Sequence, residues 1–261
     1  MKPLIVKLGG SVVTDKGKKF MVKSGVLRRL ARELATYRGP LVVIHGGGSF
    51  GHPVASKYSI ADGYKKKSQL MGLSLTHQAM ERLNSYVIQA FQGAGIPAVP
   101  VQPSACAVVS DGRIKSMEIT PIKELLSRGF TPVLYGDAVP DLKTGISILS
   151  GDQIVVYLAR KLGAPRVVLG VDVDGVFAAN PKKEEGPMLV KKITPADWKL
   201  VAYLGTAGAG DVTGGMRKKV EELLELAKQG VEAEVVNATK PNFLKKAIHG
   251  KSGQGTIISR G

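Results

Sequence analysis

The sequence predicts an α/β protein with a mostly parallel central sheet covered by helices on both faces. Three observations carry that expectation. Short β-branched runs alternate with segments of helical period from one end of the chain to the other. The 261 residues are 44% hydrophobic, enough for one large domain or two fused lobes around a sizeable core. No low-complexity linker separates the halves, so any two lobes are expected to share one continuous sheet.

Residues 3–8 (PLIVKL) read as the first strand. Residues 24–37 read as a helix, with Ser24 placed to cap it. Val26, Leu27, Leu30 and Leu34 fall on one face, and Gly39-Pro40 ends it. Residues 41–45 (LVVIH) form a buried strand, followed directly by the glycine loop HGGGSFGH (45–52). A long helix spans about 68–93, with Leu73, Met80, Leu83 and Val87 along one stripe and Gly93 and Gly95 closing it. Residues 97–101 are strand-like, and VVSDGRIKS is a hairpin around Asp111-Gly112. A helix near 121–128 leads to a strand at 131–135 (TPVLY). A second hairpin surrounds PDLKTG, and SGDQIVVYLARKLG reads as loop and helix. In the second half, 166–172 is a strand, 205–215 a glycine-rich loop, and a helix runs to about 229. EAEVVN (232–237) is a strand, PNFLKKAIHG a helix and GTIIS a last strand, while PKKEEGPM (181–188) reads as a solvated loop.

Several function classes are disfavoured by composition. No run of eighteen apolar residues occurs, so no membrane span is expected. The start MKPLIVKLGGSVV places charge and glycine where a signal peptide needs an apolar core, which points to the cytoplasm. Cys106 is the single cysteine, so no internal disulfide is expected, and its neighbours suggest a small buried residue rather than a nucleophile. His45, His52, His77 and His249 show no metal-ligand spacing, and no resident metal is expected. The net charge is +16, but aromatic content is 5% and the basic runs (65–67, 182–183, 191–192) are short and scattered. That balance favours anionic small molecules over nucleic acid.

The stretch 45–52 fits three motifs. Gly46, Gly48 and Gly51 match the dinucleotide fingerprint, but the acidic ribose ligand expected about twenty residues on is absent, with Gln69–Gly72 in its place. Gly47-x-Ser49-x-Gly51 matches a hydrolase elbow and His45–Gly48 an oxyanion loop. One segment cannot serve as both, and only two strands precede Ser49. A Walker A loop fails because Lys245 stands where its first glycine belongs. What remains is an anion cradle: KLGGS (7–11), HGGGSFGH (45–52) and YGD (135–137) all follow strands. Glycines there let backbone N–H groups approach an anion.

Lysines and an aspartate accompany the glycines. Lys7 lies on the first strand, Lys16 in the loop after it, Asp152 after Ser150-Gly151, and Lys219 on the helix opened by Thr213-Gly214-Gly215. Phosphoryl transfer needs such cations and N–H donors around the transferring group, with little covalent chemistry. The ordered set K-x-G-G-S, GGG, S-G-D, D-x-D-G-V and T-G-G-M-x-x-K resembles the amino acid kinase family from residue 4 nearly to the end. The resemblance implies a three-layer αβα sandwich, with an acceptor lobe (1–164) and a nucleotide lobe (165–261) on one continuous sheet. It implies ATP as the donor, with Mg2+ carried mainly on the nucleotide's phosphates, and a homodimer. It assigns Lys7 and Lys219 to the phosphates and Asp152 to orienting them. The backbone at Gly9, Gly10, Ser11, Gly47, Gly48, Gly214 and Gly215 falls near phosphate groups, and Asp172, Asp174 and Gly175 fall near the nucleoside. Gly136, Ser150 and Gly151 fall on the acceptor side.

Within the family, the ending Gly51-His52 is similar to the isopentenyl phosphate kinases, where that histidine contacts the acceptor's phosphate. Lys16 is similar to a phosphate-contacting lysine of the same group. This implies isopentenyl phosphate as acceptor and the diphosphate as product. Leu73, Met80, Leu83, Ile146 and Ile148 are candidates for an apolar slot for the tail. Another small acceptor on the same scaffold (a fosfomycin-like phosphonate or carbamate) and a non-catalytic nucleotide-binding member remain as alternatives.

Overall fold

The computed structural model describes residues 2–177, 188–197, 215–251 and 253–261. Gly214, the glycine-rich loop up to it, and most of the 181–188 excursion lie outside the described residues. The elements run β1 (Leu4–Leu8), α1 (Gly10–Val13), α2 (Ser24–Leu34), β2 (Leu41–His45), α3 (Gly48–Lys57), α4 (Ser68–Gln92), β3 (Ala98–Pro100) and α5 (Pro103–Cys106). There follow β4 (Ala107–Ser110), β5 (Arg113–Met117), α6 (Thr120–Ser127), β6 (Thr131–Tyr135), β7 (Asp137–Asp141), β8 (Gly145–Leu149), α7 (Gly151–Leu162) and β9 (Arg166–Val171). The described second half adds β10 (Val176–Phe177), β11 (Leu189–Val190), β12 (Lys192–Ile193), α8 (Gly215–Ala227), β13 (Glu232–Asn237), α9 (Phe243–Ile248) and β14 (Thr256–Ile258).

Eight strands form the main sheet in the order β12-β14-β13-β9-β1-β2-β6-β3. Every pair in it is parallel except β13 with β14, as expected for strands joined by helical crossovers. β1 lies at the centre, with β9 on one side and β2 on the other, so strands of both halves share one sheet.

Strand alternation sorts the core into two layers. Ile5, Val42, Ile44, Val167, Leu169, Ala233 and Val235 face α6, α7 and α8. Leu4, Val6, Leu8, Val43, Val168 and Val236 face α2, the C-terminal half of α4, and α9. A second sheet, β5-β4-β7-β8, stands beside the first and is made of the two hairpins read from the sequence.

Local differences from expectation have physical causes. Ser24 is the first residue of α2 and not its cap, which is Lys23, with no side-chain capping bond. The stretch 48–52 is not loop but the opening turns of α3, with Pro53 inside that helix. Pro53 has no N–H to give to the Ser49 carbonyl, and that carbonyl instead accepts the Phe20 amide at 3.3 Å. The segment carrying Lys16 is thereby tied to α3. Cys106 is only half-buried at the end of α5, and burial still pushes its thiol pKa up, away from the thiolate.

Candidate active site

The carboxyl ends of β9, β1, β2 and β6 lie side by side, and their following loops form one cleft edge. Two of these loops interlock backbone to backbone. A Cβ on Gly10 would lie 2.3 Å from Gly48 N, and Gly48, at φ +47°, would place its own Cβ 2.0 Å from Thr14 Oγ1. Thr14 Oγ1 stitches the contact, donating to Gly10 O at 2.7 Å and accepting Ser49 N at 3.0 Å. Gly10 and Ser11 head α1 and Gly48 heads α3, positions whose amides no intrahelical bond uses. The Gly9 amide differs, because it is donated to Gly170 O at 2.8 Å. Gly47 lies between the β2 end and α3, and the Gly136 amide bonds His45 O at 3.0 Å.

Lys7 shares the face of Ile5 on β1 and therefore points towards α7. Asp152 sits in the first turn of α7, where the helix dipole favours a carboxylate. Ser150 caps that turn, its Oγ accepting the Gln153 amide at 3.3 Å. Gly151 leaves room for the lysine, since a Cβ there would come within 3.2 Å of Lys7 Cε. Lys219 comes from the second turn of α8, so the two lysines enter from a strand and a helix. Asp152 takes Lys7 Nζ on Oδ1 at 2.7 Å and lies 3.3 Å from Lys219 Nζ through Oδ2.

Two cations therefore converge on one mostly buried carboxylate. Burial pushes the Asp152 carboxyl up, but Lys7 and then Lys219 outweigh it and hold it below its ordinary value. Burial lowers the Lys7 ammonium, Asp152 opposes that, and Lys219 adds to the lowering. His52 lies on α3 and is exposed. Partial burial, then the charges of Lys219, Lys7 and Lys16, lower its pKa, so the free side chain is largely neutral at pH 7. His45 is a different case. It is fully buried, stacked on Tyr135 and bonded to Asn84 and Gly46, and burial lowers its pKa to about 4.

Lys16 is exposed and reaches across the cleft to Asp172, 3.3 Å away. Asp174, beyond it, accepts from Asn237 Nδ2 at 2.9 Å and pairs with Lys240 Nζ at 2.7 Å. The bond from Lys240 is the main reason its carboxyl lies below the ordinary range. Gly175 turns the chain after it into β10. Asn237 and Lys240 escaped the sequence reading. The signal was available, because β13 runs parallel to β9 and its carboxyl end had to open on the same side.

Among the tail-slot candidates, Met80 and Leu83 are packed against Phe50 and Tyr135 as ordinary core. Leu73 and Ile148 are half-buried beside Ile60, Ala138 and Ile146, and offer an apolar wall.

A cleft at strand carboxyl ends, lined by interlocked glycine turns and two lysines sharing an aspartate, is an arrangement for binding and transferring phosphoryl groups. The chain belongs to the amino acid kinase family, whose pattern it matches over residues 2–237. It is 40% identical to the isopentenyl phosphate kinase of Methanothermobacter thermautotrophicus, the match covering 98% of each chain. It is 38% identical to the isopentenyl phosphate kinase of Methanocaldococcus jannaschii, over 97% of each. A crystal structure of an isopentenyl phosphate kinase superposes with a TM-score of 0.87 at 38% identity, over 98% of this chain and 99% of that one.

Proposed function

We propose that the protein transfers the γ-phosphoryl group of MgATP directly to isopentenyl phosphate, giving isopentenyl diphosphate and ADP. The observation that carries this is the convergence of Lys7 and Lys219 on Asp152, with His52 near enough for the charge of both lysines to lower its pKa. The similarity to the isopentenyl phosphate kinases supports the acceptor.

A phosphate monoester has its second pKa near 6, so at neutral pH the acceptor arrives mostly as a dianion and needs no strong general base. An acceptor oxygen attacks the γ-phosphorus, and the bond to the β–γ bridging oxygen breaks with its electron pair leaving on ADP. Lys7 and Lys219, held apart by Asp152, offset charge on the transferring group. The unused amides of Gly10, Ser11 and Gly48 supply further donors along the phosphate chain. His52 and Lys16 hold the acceptor's phosphate, and a bound dianion draws a proton back onto His52. Asp172, Asp174 and Gly175, with Asn237 and Lys240, form the nucleoside side.

Among the described residues no group of three or more His, Cys, Asp or Glu converges. Mg2+ would be held mainly through the nucleotide's own phosphates, whose negative charge it would offset. Among the described residues no helix is long and apolar enough to cross a membrane. The protein is proposed to work as a cytoplasmic homodimer. Purified protein with MgATP and a panel of acceptors, monitored by ADP release, tests the assignment. Turnover with isopentenyl phosphate is expected. Turnover only with a phosphonate or carbamate would retain the kinase and reject the acceptor, and no turnover with any acceptor would reject catalysis.

A further inference from the structure

Lys7 needs no special means of placement, because its strand is the centre of the sheet. Lys219 differs. It reaches Asp152 from a second helix, at the longer of the two distances, so its position depends on how α8 lies along α7. Outside the site, one short turn touches both helices beside these residues. At the tip of the β4–β5 hairpin, the Gly112 carbonyl accepts from Gln153 Nε2 at 3.0 Å, next in sequence to Asp152. The adjacent Arg113 pairs with Glu222, three residues beyond Lys219 and so on the same face of α8. Two consecutive residues thus hold both helices within one turn of the reacting groups.

The tip itself is fixed from behind. Asp111 and Gly112 take positive φ values of +55° and +70° in the tight turn. Asp141 gathers four backbone amides there: Asp111 at 2.9 Å, Gly112 at 2.7 Å, and Lys143 and Thr144 at 2.9 Å each. The two hairpin turns are thereby joined around one carboxylate. Further along β5, the Met117 amide donates to Tyr157 Oη of α7 at 3.0 Å, so the strand is braced to that helix at both ends.

We propose that this hairpin tip is a brace that sets the offset of α8 against α7, making Arg113 and Glu222 positioning residues that act through Lys219. The proposal rests on the phosphoryl-transfer function above. Glu222 is largely buried and Arg113 largely exposed, so the pair contributes little to global stability and its effect is local. A displacement of about 1 Å at a reacting group costs up to 10²-fold in rate, so a partial loosening of α8 should cost roughly five- to ten-fold in kcat.

The test compares Arg113→Ala, the charge-exchanged double variant Arg113→Glu/Glu222→Arg, and Arg113→Ala combined with Lys219→Ala. Arg113→Ala is expected to lower kcat with little change in either KM, and the charge-exchanged protein to recover most of the loss. In the Lys219→Ala background Arg113→Ala should cost nothing further. An unchanged kcat, no recovery on exchange, or a full additional loss on top of Lys219→Ala overturns the brace. Amide hydrogen exchange over 215–226 needs no turnover and separates the brace from the assigned reaction. Arg113→Ala should speed exchange in the first two turns of α8, and unchanged exchange overturns the brace even if wild-type protein proves to use another acceptor.

Discussion

Two of the buried charge clusters among the described residues lie on opposite faces of the same sheet. Near the carboxyl end of β1, Lys7 and Lys219 share the single carboxylate of Asp152 on the face packed by α7 and α8. On the other face, Arg166 of β9 pairs with Glu232 and Glu234 of β13 and also donates to the Ala247 carbonyl of α9. The first has two cations for one anion and opens on a cleft. The second has two anions for one cation and is closed over by a helix, with Glu234 wholly buried and its Oε1 unpaired. The difference teaches how to tell a site from a strut. A cluster with excess positive charge beside free amides is completed by an anionic ligand, whereas one closed over by a helix leaves no opening for a ligand.

The largest effect expected from this comparison is at the strut. Arg166→Ala leaves Glu234 buried without its cation and should cost about 3–5 kcal/mol of stability. Urea unfolding should show that loss, while kcat measured under folding conditions stays near wild type. A fall in kcat without a fall in stability would erase the distinction. His52→Ala should come next, raising the acceptor KM on the order of ten-fold, as loss of one charge-assisted hydrogen bond would. ATP affinity, measured by calorimetry, should hardly move, and equal losses for both ligands would transfer His52 to the nucleotide side.

The smallest effects are in pH, and they carry opposite signs. Burial, and then the nearby Glu232, raise the Glu234 pKa against the pull of Arg166, so the folded protein binds that proton more tightly than the unfolded chain. Its contribution to stability therefore falls as pH rises from about 4.3 through the raised folded value. Asp152 is held low, so its contribution is present above about pH 3.9 and is lost as pH falls through the folded value. Urea midpoints between pH 3 and 7 should lose the falling limb in Glu234→Gln and the acid limb in Asp152→Asn. Identical profiles for the two variants would contradict the assignment of the clusters to different environments.

Much of this fold was legible from local pattern. LVVIH, TPVLY and EAEVVN form strands at the residues their apolar runs delimit, because an interior parallel strand needs little beyond continuous burial. The α3 start was not legible. Gly46–Gly48 reads as loop by propensity, and only the interlock with Gly10 and the Phe20–Ser49 bond show why a helix begins there. In the site, motif order brought out Lys7, Asp152 and Lys219. No local signal places residues 145 positions apart within 2.7 Å; that juxtaposition comes from α7 packing over β1 and β2 before the chain enters β9 beside β1. Arg166, Arg113 and Glu222 were missed for the same reason. One trace of the strut was in the sequence: Glu234 sits between the apolar Ala233 and Val235 inside the strand, a position that demands a buried partner.

The central claim is that the excess positive charge at Asp152 exists to stabilise a transferring phosphoryl group. Single-turnover rates for Lys7→Ala, at saturating MgATP and isopentenyl phosphate, test it most directly. A fall of about 10²-fold or more, in a protein whose far-ultraviolet circular dichroism matches wild type, is the expected result. A rate within about three-fold of wild type would contradict the claim, because the loss of a transition-state contact cannot be that small.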